Sequence, residues 1–297
     1  MNVFEWSFLA GVLTATAPVL LAALGGLLCQ VAGVFNIALE GQLLWGAFVA
    51  VVVSDLTGSA WTGVAGAVAA TVVFSALLSG PAVALRADPI VVAVGLNLLA
   101  LGLTAFLMRQ IFGSGGTYSS PELAGLPDLG ELGLDVPVLR EQSPLVPVAL
   151  LLVAVLAFWL TRTRSGLRLR AVGQHLDAAQ AVGLRVSGYQ HGVTLVAGAL
   201  CGLAGAQLSL GNVTLFSEGM SAGRGWIAVV AVMLSGVYPG RLLLACLLFG
   251  VAEAFGFRLQ GAGLPQQAAD AAPYVITLAA LVLAAVARRR RRSYEHA

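Results

Sequence analysis

Lysine is absent from the 297-residue sequence: all sixteen basic side chains are arginine. A P-loop needs a lysine after its glycines to reach the nucleotide phosphates. The chain is therefore read as a non-enzyme, with any ATP-driven work left to a partner. Charge is scarce altogether. Only 10% of residues are charged, against about 25% in soluble proteins. Meanwhile 59% are hydrophobic and 36 are glycine. A soluble fold of about 300 residues still exposes about a quarter of the surface of its unfolded chain, more than this composition can wet. An integral membrane protein follows. A cytosolic enzyme, a secreted disulfide scaffold and a nucleic-acid binder are excluded. The three cysteines, Cys29, Cys201 and Cys246, are dispersed in apolar runs. An odd, scattered set makes no disulfide framework and no metal-ligand spacing, so they are expected as buried small hydrophobes. His175, His191 and His296 show no zincin-type spacing. No catalytic residue, metal or cofactor is expected.

A membrane helix needs about 20 mostly apolar residues. Nine segments qualify, at about 7–31, 36–53, 60–85, 90–112, 145–161, 191–210, 223–237, 240–259 and 267–287. The fold class is all-α and polytopic, one transmembrane domain over 1–297 with about nine crossing or half-crossing helices. The second and seventh segments are short, and either fits a half-helix. Arg162, Arg164, Arg168, Arg170 and Arg185 make the 162–190 loop basic, and Arg288 to Arg292 do the same for the tail 288–297. The positive-inside rule places both in the cytoplasm. The tail run also suits anionic lipid headgroups, with topology the favoured role. The linker 113–144 carries Glu122, Asp128, Glu131, Asp135 and Glu141 against Arg140 and is placed outside. Nine crossings then put the N-terminus outside and the C-terminus inside a cell (plasma or inner) membrane.

Segments one to four and six to nine share a layout: a long helix, a broken polar stretch, a short helix, two longer ones. The breaks are 33–41 and 212–219, each ending in Glu-Gly. Inverted repeats with broken helices are a transporter signature, and the breaks tend to line the pathway. Polar residues at membrane depth are costly and mark pathways or structural pairs. Asn36, Glu40, Gln42, Asn97, Gln207, Glu253, Arg258 and Asp270 are the candidates. For Arg258 and Asp270 a structural or interfacial role is favoured. Asn36, Glu40 and Gln42 open a short helix, where free N–H groups face a polar solute. The structural alternative is that Glu40 serves as a helix N-terminal charge. Phe35 and Trp45 flank one break, Phe216 and Trp226 the other. They suit stacking on a planar base or plain packing and interfacial anchoring.

In the basic loop, 177–182 reads as a short amphipathic helix, capped by Asp177 and ended by Gly183. Docking onto a soluble partner is one use; a simple connector is the other. The run Asp177-Ala178-Ala179, three residues, then Gly183 resembles the Glu-Ala-Ala…Gly loop of the permease subunits of binding-protein-dependent ABC importers, with Asp for Glu. The stretch Val34 to Phe48, with Asn36-Ile37 and Glu40-Gly41, is similar to the Asn-Ile-x-x-Glu-Gly segment of the branched-chain amino acid, ribose and nucleoside permeases. Gly219 to Ala228 is similar to their later Gly-rich helix entry. The likeness covers about residues 7–287 and is nearest to the shorter permease of the nucleoside (guanosine/purine) branch.

The resemblance implies a machine. A cytoplasmic ABC ATPase binds ATP and docks on the coupling loop through Arg168, Arg170, Asp177, Ala178, Ala179 and Gly183. A second homologous permease completes the pore as a heterodimer. An extracytoplasmic solute-binding lipoprotein delivers the cargo, and the lipid bilayer surrounds the whole. The solute pathway is expected at Phe35, Asn36, Glu40, Gln42, Trp45, Asn97, Phe216, Glu218 and Trp226. A ribose-like sugar or a branched-chain amino acid is the alternative cargo. An ion-coupled secondary transporter would instead need an essential carboxylate at mid-membrane, such as Glu253 or Glu40. An intramembrane enzyme lacks its constellation.

Overall fold

The computed structural model describes residues 3–261 except Arg86, Ser114, Leu134, Asp135 and Pro137. The ninth segment, Asp270, the arginine run 288–292, Glu295 and His296 lie outside the described residues.

Ten helices build the described chain. They are α1 (Val3–Val31), α2 (Leu39–Thr57), α3 (Ala60–Ser79), α4 (Pro89–Phe112), α5 (Leu145–Arg162), α6 (Arg164–Gln174), α7 (Leu176–Ala181), α8 (Val186–Ala206), α9 (Arg224–Ser235) and α10 (Pro239–Gly261). One π-helical stretch, Gly80–Ala84, follows α3, and another, Gln207–Val213, follows α8. Seven helices are long and apolar enough to cross a membrane. The chain is a polytopic membrane protein.

The two short segments resolve differently. The second runs to Thr57 and reaches 19 residues, enough to cross. The seventh is only 12 residues. At 1.5 Å per residue that is about 18 Å, little more than half of a hydrocarbon core of about 30 Å. So α9 is a half-helix and α2 is not. The sixth segment also starts earlier than read, at Val186, and stays helical through Val213. Only at Thr214, with φ 49°, does it break.

The bundle has two faces. Tyr118 meets Asp55 at the end of α2, and Gln142 meets Thr14 and the Ala10 carbonyl near the start of α1. The 113–144 linker therefore covers the end that carries the N-terminus of α1 and the C-terminus of α2. Gly33, just past α1, lies against Gly173 of α6 on the opposite face. The linker is not a free strap. Leu123, Leu126 and Leu129 are buried in it, and the Leu126 amide donates to the Leu210 carbonyl at 3.0 Å. Its strand β1 (Thr117–Tyr118) pairs antiparallel with β2 (Phe216–Ser217) beyond α8.

The core sits around α1 and α8, the two helices most enclosed by the rest. They run antiparallel: Gly25 lies on Ala197, the Cys29 thiol faces the Val193 carbonyl, and the Asn212 amide reaches the Thr14 carbonyl. Small residues make this possible, as membrane helix interfaces require. On α8, Gly198 and Gly202 lie on the α3 backbone and Gly205 on the α2 backbone. All three cysteines are buried and free, as expected of small hydrophobes. By contrast, α3, α4 and α5 leave most of their apolar surface uncovered, as helices with a lipid-facing side do.

Candidate functional site

The first break is short and braced by side-chain hydrogen bonds. After Gly33 turns with φ 78°, the Asn36 carboxamide oxygen accepts from the Ala38 amide at 2.9 Å. Its Nδ2 donates to Gln42 Oε1 at 3.3 Å, and Gln42 Nε2 donates to Ser75 Oγ at 3.0 Å. Asn36 and Gln42 are both buried. Asn97 reaches across from α4: its Oδ1 accepts the Gly41 amide at 2.8 Å and its Nδ2 donates to the Ile37 carbonyl at 3.1 Å. In a dry environment, helix-end groups must find such partners. Asn36, Gln42 and Asn97 are thus brought together as the support of this break, with their amides committed to it.

Glu40 is the surprise. It lies in the first turn of α2, yet it serves the N-terminus of another helix. Oε1 accepts from Ser221 Oγ at 2.6 Å and from the Gly223 amide at 2.9 Å. Oε2 accepts from the Gly225 amide at 2.7 Å. These donors belong to the entry and first turn of α9. Glu40 is also the acidic residue in the first turn of its own helix, α2. The approach is close: a Cβ on Gly225 would overlap the Glu40 backbone. Beside it, Arg224 donates to Glu253 of α10 at 2.5 Å and to the Met220 carbonyl at 3.2 Å. Both charged ends are largely covered, at 20% and 14% exposure. Neither carboxylate that an ion-coupled transporter would use is without a partner.

The second break is pinned at its linker end. Ser143 donates to Gln207 Oε1, Gln207 Nε2 donates to Asn212 Oδ1 at 2.8 Å, and Asn212 holds the Thr14 carbonyl. The π-helical stretch widens the helix here, a distortion frequent at functional sites. Gln207→Leu should remove both side-chain bonds at once and leave Ser143 and Asn212 short of partners. The expected loss is about 1–3 kcal/mol, checked by thermal unfolding of the chain in nanodiscs.

Glu218 goes elsewhere. Its amide donates to the Gly116 carbonyl at 2.8 Å, its Oε1 accepts from the Gly116 amide at 3.2 Å, and Arg109 lies 3.9 Å away. It ties β2 to the linker, and the exposed Arg109 contact is worth little. Tyr118 donates to Asp55 at 2.9 Å. Desolvation first, and the Asp55 bond second, raise its phenol above the ordinary value.

The four aromatics do not form one cage. Phe216 is fully buried, edge-on to Phe48 at 5.2 Å between ring centres. Trp45 stacks on Phe74 at 5.6 Å and is half-buried. Phe35 is half-buried against the main core, while Trp226 on α9 is 44% exposed. Ser75 and Ser221 were invisible to sequence reasoning, since a serine in an apolar helix or a Gly-rich turn carries no signal of its own. Among the described residues, no group of three or more His, Cys, Asp or Glu could hold a metal.

On the opposite face, the basic loop is two helices. Thr163 caps α6 by accepting the Gly166 amide at 3.1 Å. Leu169 and Val172 bury the inner side of α6, and Gly173 presses on the end of α1. Arg168 is exposed and Arg170 half-buried. The expected 177–182 helix is present as α7, one residue earlier. Asp177 does not cap it: His175 occupies the cap position and makes no side-chain bond. Asp177 instead sits exposed in the first turn, where its charge favours the N-terminus. Gly183 does end the turn, with φ 82°. Ala179 is buried against Val172 and Val186, whereas Ala178, Leu176 and Val182 face outward. Among the described residues, Leu176, Ala178 and Val182 leave an apolar surface exposed near Arg168 and Arg185 in sequence.

These features define a class: a multi-pass membrane protein with an interrupted helix pair in the bundle and a short helix pair on one face. The chain belongs to the family described as branched-chain amino acid transport system / permease component, which matches residues 8–285, and it is an ABC importer permease. It is 35% identical over 270 residues to the putative glucose ABC transporter permease protein TsgC13 of Haloferax volcanii, covering 87% of this chain and 80% of that one. It is 33% identical over 291 residues to the guanosine ABC transporter permease protein NupQ of Bacillus subtilis, covering 91% and 89%. It is also 28% identical over 256 residues to NupP, a second guanosine permease of that organism, covering 79% and 69%. No solved structure matches.

Proposed function

We propose that this permease carries nucleosides inward across the cell membrane. The observation that carries the reading is the likeness to the guanosine permease NupQ, which extends over about nine-tenths of both chains. A glucose-like sugar is the second reading, favoured by the likeness to TsgC13. The test is uptake of a labelled purine nucleoside by cells with and without the gene, with glucose, ribose and leucine alongside. Loss of nucleoside uptake alone is the expected result. Loss of sugar or leucine uptake instead discards the nucleoside cargo and keeps the importer.

The partner is a second, related permease. Two unlike guanosine permeases of one organism both match this chain, which favours a heterodimer. An external binding lipoprotein delivers the solute, and an ATPase drives the cycle from the cytoplasm. The arginine-bearing α6–α7 face is the cytoplasmic one. That orientation puts the linker face, and with it the N-terminus of α1, outside; the arginine run 288–292 favours the cytoplasm for the tail by the same rule. The solute path runs beside the two breaks, past the partly uncovered rings of Phe35, Trp45 and Trp226. Asn36, Gln42, Asn97 and Phe216 hold that wall from behind, and Glu218 ties it to the linker.

The ATPase docks on the exposed side of α7, with Asp177 and Ala178 at the contact and Arg168 and Arg170 alongside on α6. Gly183 shapes the end of the turn, and buried Ala179 sets how α7 is seated. Ala178→Trp is the clean probe, because Ala178 faces outward and Ala179 inward. It should cut uptake at least tenfold while ATP hydrolysis continues, measured together in membranes carrying the complete importer. Wild-type coupling in this variant would remove α7 from the docking surface.

A further inference from the structure

We propose that Glu40 is a positioning residue: its carboxylate holds the start of the half-helix α9 against α2, so that the two breaks move as one body. The first amides of α9 lie at a partly covered turn, where Ser221 and Gly225 are buried and Gly223 and Arg224 half-buried. Each such N–H must find an acceptor. The chain leading in serves only part of them: the Arg224 amide donates to the Ser221 carbonyl at 2.8 Å, but Ala222 and Gly223 turn through the left-handed region, with φ 45° and 82°, and Gly223 has no side chain to cap the helix. Glu40 supplies that cap from α2. An ionised carboxylate has about four acceptor sites, and three are taken by Ser221, Gly223 and Gly225. Charge-assisted bonds of this kind are about twice as strong as neutral ones. The glycine at 225 is what lets the α2 backbone come near enough.

The clasp is also a link in a longer chain. Asn97 of α4 holds the first turn of α2, Glu40 holds the first turn of α9, and Arg224 in that same turn holds Glu253 of α10. A pull on either end therefore reaches both breaks. Glu40 acts by fixing α9 and not by contact with the solute. This deepens the importer reading and rests on it only for its transport arm.

The chemistry makes a sharp test. In Glu40→Gln one oxygen becomes an NH2, which faces the Gly225 N–H donor to donor. Glu40→Asp keeps both acceptors but pulls them back by one methylene. Ser221→Ala removes one of the three bonds and leaves the charge. Hydrogen–deuterium exchange is read on the full chain in lipid nanodiscs. The amides of residues 221–227 should exchange at least tenfold faster in Glu40→Gln. Glu40→Asp and Ser221→Ala should fall between it and wild type, with α1 and α8 unchanged in all three. In cells carrying the complete importer, Glu40→Gln should lower the maximal uptake of every accepted nucleoside by the same factor. Unchanged exchange at 221–227 overturns the clasp. A change of more than threefold in the ratio of rates between two nucleosides overturns the positioning role, because a solute contact would discriminate. Absence of nucleoside uptake in wild-type cells would defeat the cargo reading alone, and the exchange result would still decide Glu40.

Discussion

Gly173→Ala should cut uptake by the complete importer at least tenfold, whereas Gly192→Ala should leave it unchanged. Both glycines lie in helices, where alanine is favoured by about 1 kcal/mol on intrinsic propensity. Propensity alone therefore predicts that both substitutions stabilise. The surroundings reverse this at one site only. A Cβ on Gly173 would overlap the Val31 carbonyl, while one on Gly192 meets nothing within 4 Å. Forcing one extra carbon into a packed contact costs about 1–3 kcal/mol. Here the cheapest relief is for α6 to lift away from the end of α1. Because α6 leads directly into α7, the helix proposed to dock the ATPase moves with it. Uptake, ATP hydrolysis and thermal unfolding measured on the same preparations separate the effects. Wild-type uptake in Gly173→Ala would show that the α1–α6 contact carries no motion.

The second large effect is expected at Arg224 and Glu253. Removing one member of a covered ion pair strands the other, which costs about 3–5 kcal/mol, whereas replacing both by apolar residues is often nearly neutral. Arg224→Met and Glu253→Leu should each lower the thermal stability of the chain in nanodiscs strongly. The double variant should recover more than half of the loss. Recovery is incomplete because the bond from Arg224 to the Met220 carbonyl is lost as well. Transport should follow stability and return in the double variant. A stable double variant with no uptake would instead mark Glu253 as a carrier of protons or ions, the role that a secondary transporter requires. Equal losses in single and double variants would show that the two side chains act independently.

Several parts of this protein were legible before any fold was known. The arginine-only basic set and sparse charge announce a membrane chain without its own P-loop. Apolar runs of helix length locate the spans to within a few residues, because no exposed backbone is tolerated in lipid and the signal is long. The Asp-Ala-Ala…Gly run locates α7, and Gly183 ends it as read. Boundaries where polar and helical signals overlap were less clear. At α8 the helix continues through Gln207, Ser209 and Asn212 because their side chains find partners inside the bundle. At α2 the helix continues past Val53 and Ser54, since Ser54 bonds the linker carbonyl of Ala124.

The polar residues at membrane depth show the same division. Their positions are plain in the sequence, because each interrupts an apolar run. Their partners are not, since hydrogen bonds across helices join residues far apart in the chain. Glu40 and Gly225 are separated by 185 positions, Gly41 and Asn97 by 56. Composition and periodicity decided that this chain crosses a membrane many times, roughly where its apolar segments lie and which loop is basic, because each depends on residues that are neighbours in sequence. Only the tertiary structure decided that α9 stops halfway, that Glu40 serves α9 as well as its own helix, and that Ala179 and not Ala178 is buried. Those depend on which surfaces meet, and close packing of small residues on α8 sets that.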